Sequence, residues 1–139
     1  MSTAAQPDSP GIALVTGAAH RIGRAIALHL GRLGWSVAVH FNGSREAAEA
    51  VAAEVSKCGG RSIALKADLA SADEVRDLLP RCVAAIGAPT CLVNNASMFE
   101  DDRIESLDAR LWDALLAVNL TAPVLLAQAF QRHLPAGQH

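Results

Sequence analysis

Short apolar runs alternate with longer amphipathic stretches along this chain. Ile12-Ala13-Leu14-Val15-Thr16 is continuously apolar, the pattern of a strand covered on both faces. Arg21 to Leu33 follows as a helix, with Ile22, Ile26, Leu30 and Leu33 at helical spacing and Gly34 placed to cap it. Trp35 to His40 is a second strand, and Asn42-Gly43-Ser44 is turn chemistry. Ser44 is expected to N-cap a helix from Arg45 to Lys57, closed by Gly59-Gly60. Ser62 to Lys66 is a third strand. Ser71 with Glu74 three residues on is a capping-box pattern opening a helix to Ile86. Thr90 to Asn94 is a fourth strand. After a loop, one long helix is expected from Asp108 to Leu134, bent at Pro123, with Pro135-Ala136-Gly137 returning the chain to a loop.

Strands alternating with helices call for parallel βαβ crossovers, right-handed almost without exception. The expected fold is therefore α/β, a Rossmann-type three-layer parallel sheet of order 3-2-1-4, the first half of a doubly wound sheet. The sheet is incomplete: the outer edge of strand 4 has no partner strand in this sequence, which is an assembly or aggregation liability.

Composition narrows the class. With 139 residues the chain can build one domain with a core, and 51% hydrophobic against 19% charged residues points to a soluble globular chain. A net charge of −2, with no basic cluster, argues against a nucleic-acid partner. Cys58, Cys82 and Cys91 are an odd count without a CxxC, so reduced thiols in a cytoplasmic protein are expected, not a disulfide framework or zinc site. Residues 1–10 lack a cationic start and an apolar run, and read as a flexible tail rather than a signal peptide. The apolar segment from Leu111 to Phe130 is interrupted by Asp113, Asn119, Thr121, Pro123 and Gln128, too polar for an expected membrane span. No spacing of His, Cys, Asp or Glu suggests a metal site, and no Ser-His-Asp arrangement stands out.

Candidate chemistry gathers at the strand ends. Gly17 and Gly23 bound a turn between the first strand and the first helix. Unpaired N–H groups and the helix dipole there favour a phosphate. The spacing is not the GxGxxG of the dinucleotide fingerprint. The second strand ends in His40 with no acid beside it; the nearest, Glu46, lies inside the next helix. An NAD site usually places an acid there for the ribose 2′-hydroxyl, and an NADP site replaces it with positive charge. Arg21, Ser44 and Arg45 can supply two guanidinium groups and a hydroxyl to a 2′-phosphate. Asp68 can accept from an adenine amino group. Asn94 and Asn95 sit at the carboxyl end of strand 4, where ligands are expected in such sheets.

In order along the chain, five signals carry a resemblance. They are Thr16-Gly17-Ala18-Ala19-His20-Arg21-Ile22-Gly23, His40-Phe41-Asn42-Gly43-Ser44-Arg45, Asp68-Leu69, Asn94-Asn95-Ala96-Ser97 and Val118-Asn119-Leu120. Together they resemble the short-chain dehydrogenase/reductase family, and more narrowly its pteridine reductase branch, in which an arginine precedes the last glycine and the fourth-strand motif ends in serine. The resemblance implies that residues 11–139 are the N-terminal part of one NAD(P)-binding domain. It implies NADPH/NADP held by Gly17, Arg21, Ile22, Gly23, His40, Ser44, Arg45, Asp68, Leu69, Asn95, Ala96 and Ser97, with Asn94 structural. Phe99 matches an aromatic that stacks on a pterin, and Asn119 the helix asparagine of the catalytic tetrad. Relatives often carry arginine where this chain has Gly43.

The same resemblance implies hydride transfer to a small carbonyl or pteridine-type substrate, in a protein that works as a dimer or tetramer. It also implies a catalytic Tyr and Lys, but the chain contains no tyrosine, and its lysines, Lys57 and Lys66, sit where no catalytic role is expected. The expectation is a fragment of an NADPH-dependent reductase, inactive alone. The alternatives are a stand-alone NADP-binding module, a remnant that does not fold stably, or the ketoacyl-reductase-like branch, which usually has glycine in place of Ser97.

Overall fold

A computed structural model describes residues 9–134 and 137; the tail residues 1–8 and the loop expected at Pro135-Ala136 lie outside them. Four strands, β1 (Ile12–Val15), β2 (Ser36–Phe41), β3 (Ser62–Lys66) and β4 (Cys91–Val93), alternate with helices α1 (Arg21–Arg32), α2 (Arg45–Lys57) and α3 (Ala72–Ile86). After β4 come α4 (Ala109–Leu116), a five-residue π-helical turn (Ala117–Thr121) and α5 (Ala122–His133). The sheet runs β3-β2-β1-β4, the expected order, and every pairing is parallel. Leu14 sits opposite Ala38 on one side and Leu92 on the other.

Alternation along the strands divides the core into two layers. Ala13, Val15, Val37, Val39 and Phe41 pack with Ala27, Leu28, Val51 and Val55 from α1 and α2. Leu14, Ala38 and Leu65 pack on the opposite face with Val75, Leu78 and Leu79 of α3 and Leu126 of α5. All six residues of β2 are buried, as befits an inner strand covered on both faces. The three residues of β4 are half-buried, and no described strand lies beyond them.

Several local expectations are corrected. The buried face of α1 is Gly23, Ala27, Leu28 and Gly31, whereas Ile22 and Leu33 are exposed at 68% and 58%. Small residues let α1 approach its neighbours closely: a Cβ on Gly31 would lie 3.1 Å from a Val55 methyl. Ser44 precedes α2 but its side chain makes no capping hydrogen bond. At α3, Ser71 Oγ accepts from the Glu74 N–H at 3.4 Å, but the Glu74 carboxylate turns to the Asp68 N–H, leaving the box half closed.

The long C-terminal helix is interrupted at Ala117–Thr121, upstream of Pro123. Proline lacks the N–H that would meet the Asn119 carbonyl four residues earlier, and the π turn absorbs that loss. By length and composition alone the run Ala109–His133 could cross a membrane, with a mean hydropathy of 1.5. Ala122 and Leu126 seat it on the core, while Trp112, Leu120 and Val124 stay exposed.

Leu78 is fully buried between the sheet and α5. Leu78→Ala is expected to lower the urea-unfolding free energy by about 2–5 kcal/mol. A loss well under 1 kcal/mol would mean that the α3 layer is loosely packed.

Candidate cofactor site

The site begins where β1 and β4 end side by side. Thr16 is buried, and its backbone N–H donates to the Val93 carbonyl at 3.0 Å. Its hydroxyl donates to the same carbonyl at 3.3 Å and accepts from the N–H groups of Asn95 and Ala96, both at 3.0 Å. The Asn95 amide returns the tie, donating to the carbonyls of Thr16 at 3.0 Å and Gly17 at 3.1 Å. Thr16, which the sequence reading left unremarked as a site residue, thus joins the turn to the β4 loop.

The turn that follows is tight enough to exclude side chains. Gly17 adopts φ 60°, and a Cβ there would lie 2.9 Å from the Ala96 Cα. A Cβ on Gly23 would collide with the Gly17 carbonyl. Gly17 donates its N–H to His40 Nδ1 at 3.0 Å, and Ala18 donates to the His40 carbonyl at 2.9 Å. The first two donors of the turn are therefore consumed inside the protein and do not point at a ligand, a correction to the simplest reading of the motif.

The donors left over come later. His20 precedes α1 in an extended conformation without a side-chain cap, and the N–H groups of Arg21, Ile22 and Gly23 meet no acceptor among the described residues. Arg21 adopts φ 50°, a left-handed conformation that costs a non-glycine residue about 1 kcal/mol or more. Such strain points to a functional constraint on this position.

These groups open onto a cavity of about 860 Å³. It brings together Gly17, Arg21, Ile22, Gly23, His40, Asp68, Leu69, Asn95, Ala96, Ser97 and Phe99, all anticipated from sequence. Ser44 and Arg45 do not line it. Arg45 instead stacks over the Phe41 ring at 5.3 Å and pairs with Glu49 at 3.5 Å, along its own helix. The cavity also takes in His20, Asn42, Ala70, Met98, Ala114 and Val118, which sequence reasoning missed as site residues. Asn42 had a visible signal, as the first residue beyond the acid-free end of β2.

Charge around the cavity is informative. Arg21 has no acidic partner among the described residues, whereas Arg24 and Arg45 are paired with Glu54 and Glu49. Asp68 Oδ1 accepts from the Ala70 N–H at 2.9 Å, which holds the carboxylate in place at the cavity edge. Asn95 spends both amide protons on the turn, so its side chain acts as a brace; Asn94 donates to the Pro123 carbonyl at 3.4 Å. Asn119 does not line the cavity. Its amide grips the Met98 backbone twice, accepting from the N–H at 2.7 Å and donating to the carbonyl at 2.8 Å, and so fixes the loop that carries Ser97 and Phe99. Phe99 is 87% exposed at the cavity mouth. Burial pushes the Cys82 thiol up to about 11, and Cys91 upward as well, which disfavours the thiolate at both.

Thr16→Val keeps shape but removes the acceptor for the Ala96 N–H. It is expected to cost about 1–3 kcal/mol in urea unfolding, while Thr16→Ser stays near wild type. Equal stability of all three would mean that the hydroxyl does not join the two strand ends.

Residues 11–139 match the family described as short chain dehydrogenase. The chain is similar to a 3-oxoacyl-[acyl-carrier-protein] reductase of Staphylococcus epidermidis, 41% identical over 108 residues that make up 78% of this chain and 44% of that protein. A crystal structure of a FolM alternative dihydrofolate reductase from Brucella canis, complexed with NADP, superposes with a TM-score of 0.86 at 41% identity, covering 91% of this chain and 51% of that one. A short chain dehydrogenase from Burkholderia cenocepacia, also complexed with NADP, gives 0.86 at 40% identity, with the same coverage. The chain thus spans about half the length of these relatives. With the whole described sheet inside the match, the chain belongs to the short chain dehydrogenase family.

Proposed function

We propose that this chain forms the NADPH-binding half of a reductase. The observation that carries the reading is the convergence of an uncapped helix N-terminus, the unpaired Arg21 and an acid-free β2 end on one cavity. The open N–H groups of Arg21, Ile22 and Gly23 suit a pyrophosphate. The Arg21 guanidinium, with Asn42 across the cavity, suits a 2′-phosphate. Asp68 suits the adenine amino group. Relatives bound to NADP support the cofactor choice.

Bound there, NADPH would supply a hydride to a small carbonyl or pteridine-type substrate. The chain's own part is to hold the nucleotide, exclude water from the β1–β4 end of the sheet, and offer Ser97 and Phe99 beside the reacting region. Phe99 is an unsupported aromatic face at the mouth, fitted to stack on a flat heterocycle. The proton donor that the family resemblance implies is a tyrosine, and the sequence has none. We therefore assign turnover to a longer polypeptide. Similarity to 3-oxoacyl-[acyl-carrier-protein] reductases favours a second reading, a ketoacyl thioester as substrate on the same cofactor chemistry.

Fluorescence titration of the 139-residue chain is expected to give micromolar binding of NADPH and weaker binding of NADH, and no turnover with a dihydropterin. No NADPH binding, or equal affinities, would overturn the cofactor reading; real turnover would overturn the division of labour. Arg21→Gly is expected to lower NADPH affinity about tenfold, with little effect on NADH, and to leave stability unchanged or raised as strain is released. Phe99→Ala is expected to weaken dihydropterin binding to the NADP-loaded chain and leave NADPH affinity within about twofold.

A further inference from the structure

We propose that His40 is a positioning residue for the phosphate-binding turn: its ring sets the conformation of Gly17 and ties that turn to the adenine side of the cavity, without contacting the nucleotide. The inference rests on the cofactor reading above and goes beyond it, because the resemblance alone places His40 among residues that touch the cofactor.

The geometry determines the tautomer. The Gly17 backbone nitrogen can only donate, so Nδ1, 3.0 Å away, must carry the lone pair. The ring proton then sits on Nε2 and donates to the Ala67 carbonyl at 2.9 Å. The side chain is 2% exposed, and both ring nitrogens are spent on protein backbone. Nothing polar on the ring is left for a ligand. One imidazole instead bridges the residue that opens the phosphate turn and the residue just before Asp68 and Leu69. The two ends of the nucleotide cradle are joined by a single side chain at the end of β2.

Protonation would break this bridge, because an Nδ1–H would face the Gly17 N–H. Burial pushes the imidazole below its ordinary 6.5, and Arg81 of α3 and Lys66 of β3 push the same way; only the Ala67 bond opposes them. Other ionisable side chains bordering the cavity are His20 and Arg21 around the start of α1 and Asp68 after β3. The neutral bridge is thus intact at pH 7.5 and is lost only as pH falls below the ordinary histidine range.

Two substitutions separate the bonds. Asn at position 40 places an acceptor near the Nδ1 position and cannot reach Ala67; Gln reaches toward Ala67 and leaves the Gly17 N–H unmet. NADPH titrations of the 139-residue chain at pH 7.5 are expected to show His40→Asn within about threefold of wild type and His40→Gln about tenfold weaker or worse, the effect of one buried donor left unpaired. Thermal melts establish that each variant is folded. On wild type, the Gly17 amide resonance is expected to shift with the His40 ring titration, and NADPH affinity to fall over the same pH range more steeply than in His40→Asn. The profile of that variant supplies the background against which the wild-type pH dependence is read. Equal affinities of the two variants, or a Gly17 resonance indifferent to the ring's titration, would overturn this proposal alone. Wild type failing to bind NADPH at pH 7.5 would overturn the cofactor reading, and this proposal with it.

Discussion

The structure depends on a close backbone approach at the end of β1. The Gly17 turn, the first residues of the β4 loop and the start of α1 meet within contact distance, and only hydrogen atoms fit between them. Buried polar groups there must still be paired, and the Thr16 hydroxyl, the Asn95 amide and the His40 ring supply most of the partners. What remains after this internal pairing defines the ligand's share. The turn is therefore a subtraction: of the backbone donors that the described residues leave without a partner, those of Arg21, Ile22 and Gly23 belong to residues that line the cavity.

Order and spacing made the sheet legible in the sequence. Continuous apolar runs for inner strands, period-3.6 stretches between them and the crossover rule lead to β3-β2-β1-β4 without further information. The two turn glycines were legible too, because their requirement is local. The buried face of α1 was not, since hydrophobicity favours Ile22 and Leu33, whereas the packing selects Gly23, Ala27 and Gly31 for their small size. Arg45 illustrates a second limit. Its charge was readable, but its direction depends on Phe41 and Glu49, one from a strand and one from a helix turn further on. Thr16 and Asn95 are a third case, for their roles exist only once two strands distant in sequence lie side by side.

The cofactor end of the site is self-contained in a way the substrate end is not. Every side chain that braces the turn lies in β2 or in the segments just beyond β1 and β4, so the bracing comes from one end of one sheet. The substrate end rests on one loop, with Phe99 projecting into open space.

The Asn119 grip on Met98 has a mechanical side. Its amide presents one donor and one acceptor to the backbone of a single residue, as a neighbouring β-strand would, so the helix behaves toward the loop as one rung of a sheet. That rung sits in the π turn, the one segment of the long helix wound more loosely than its surroundings. The loop bearing Phe99 is thus anchored to the long helix at the segment where the helix's winding is irregular, so the position of the aromatic ring is tied to that irregularity.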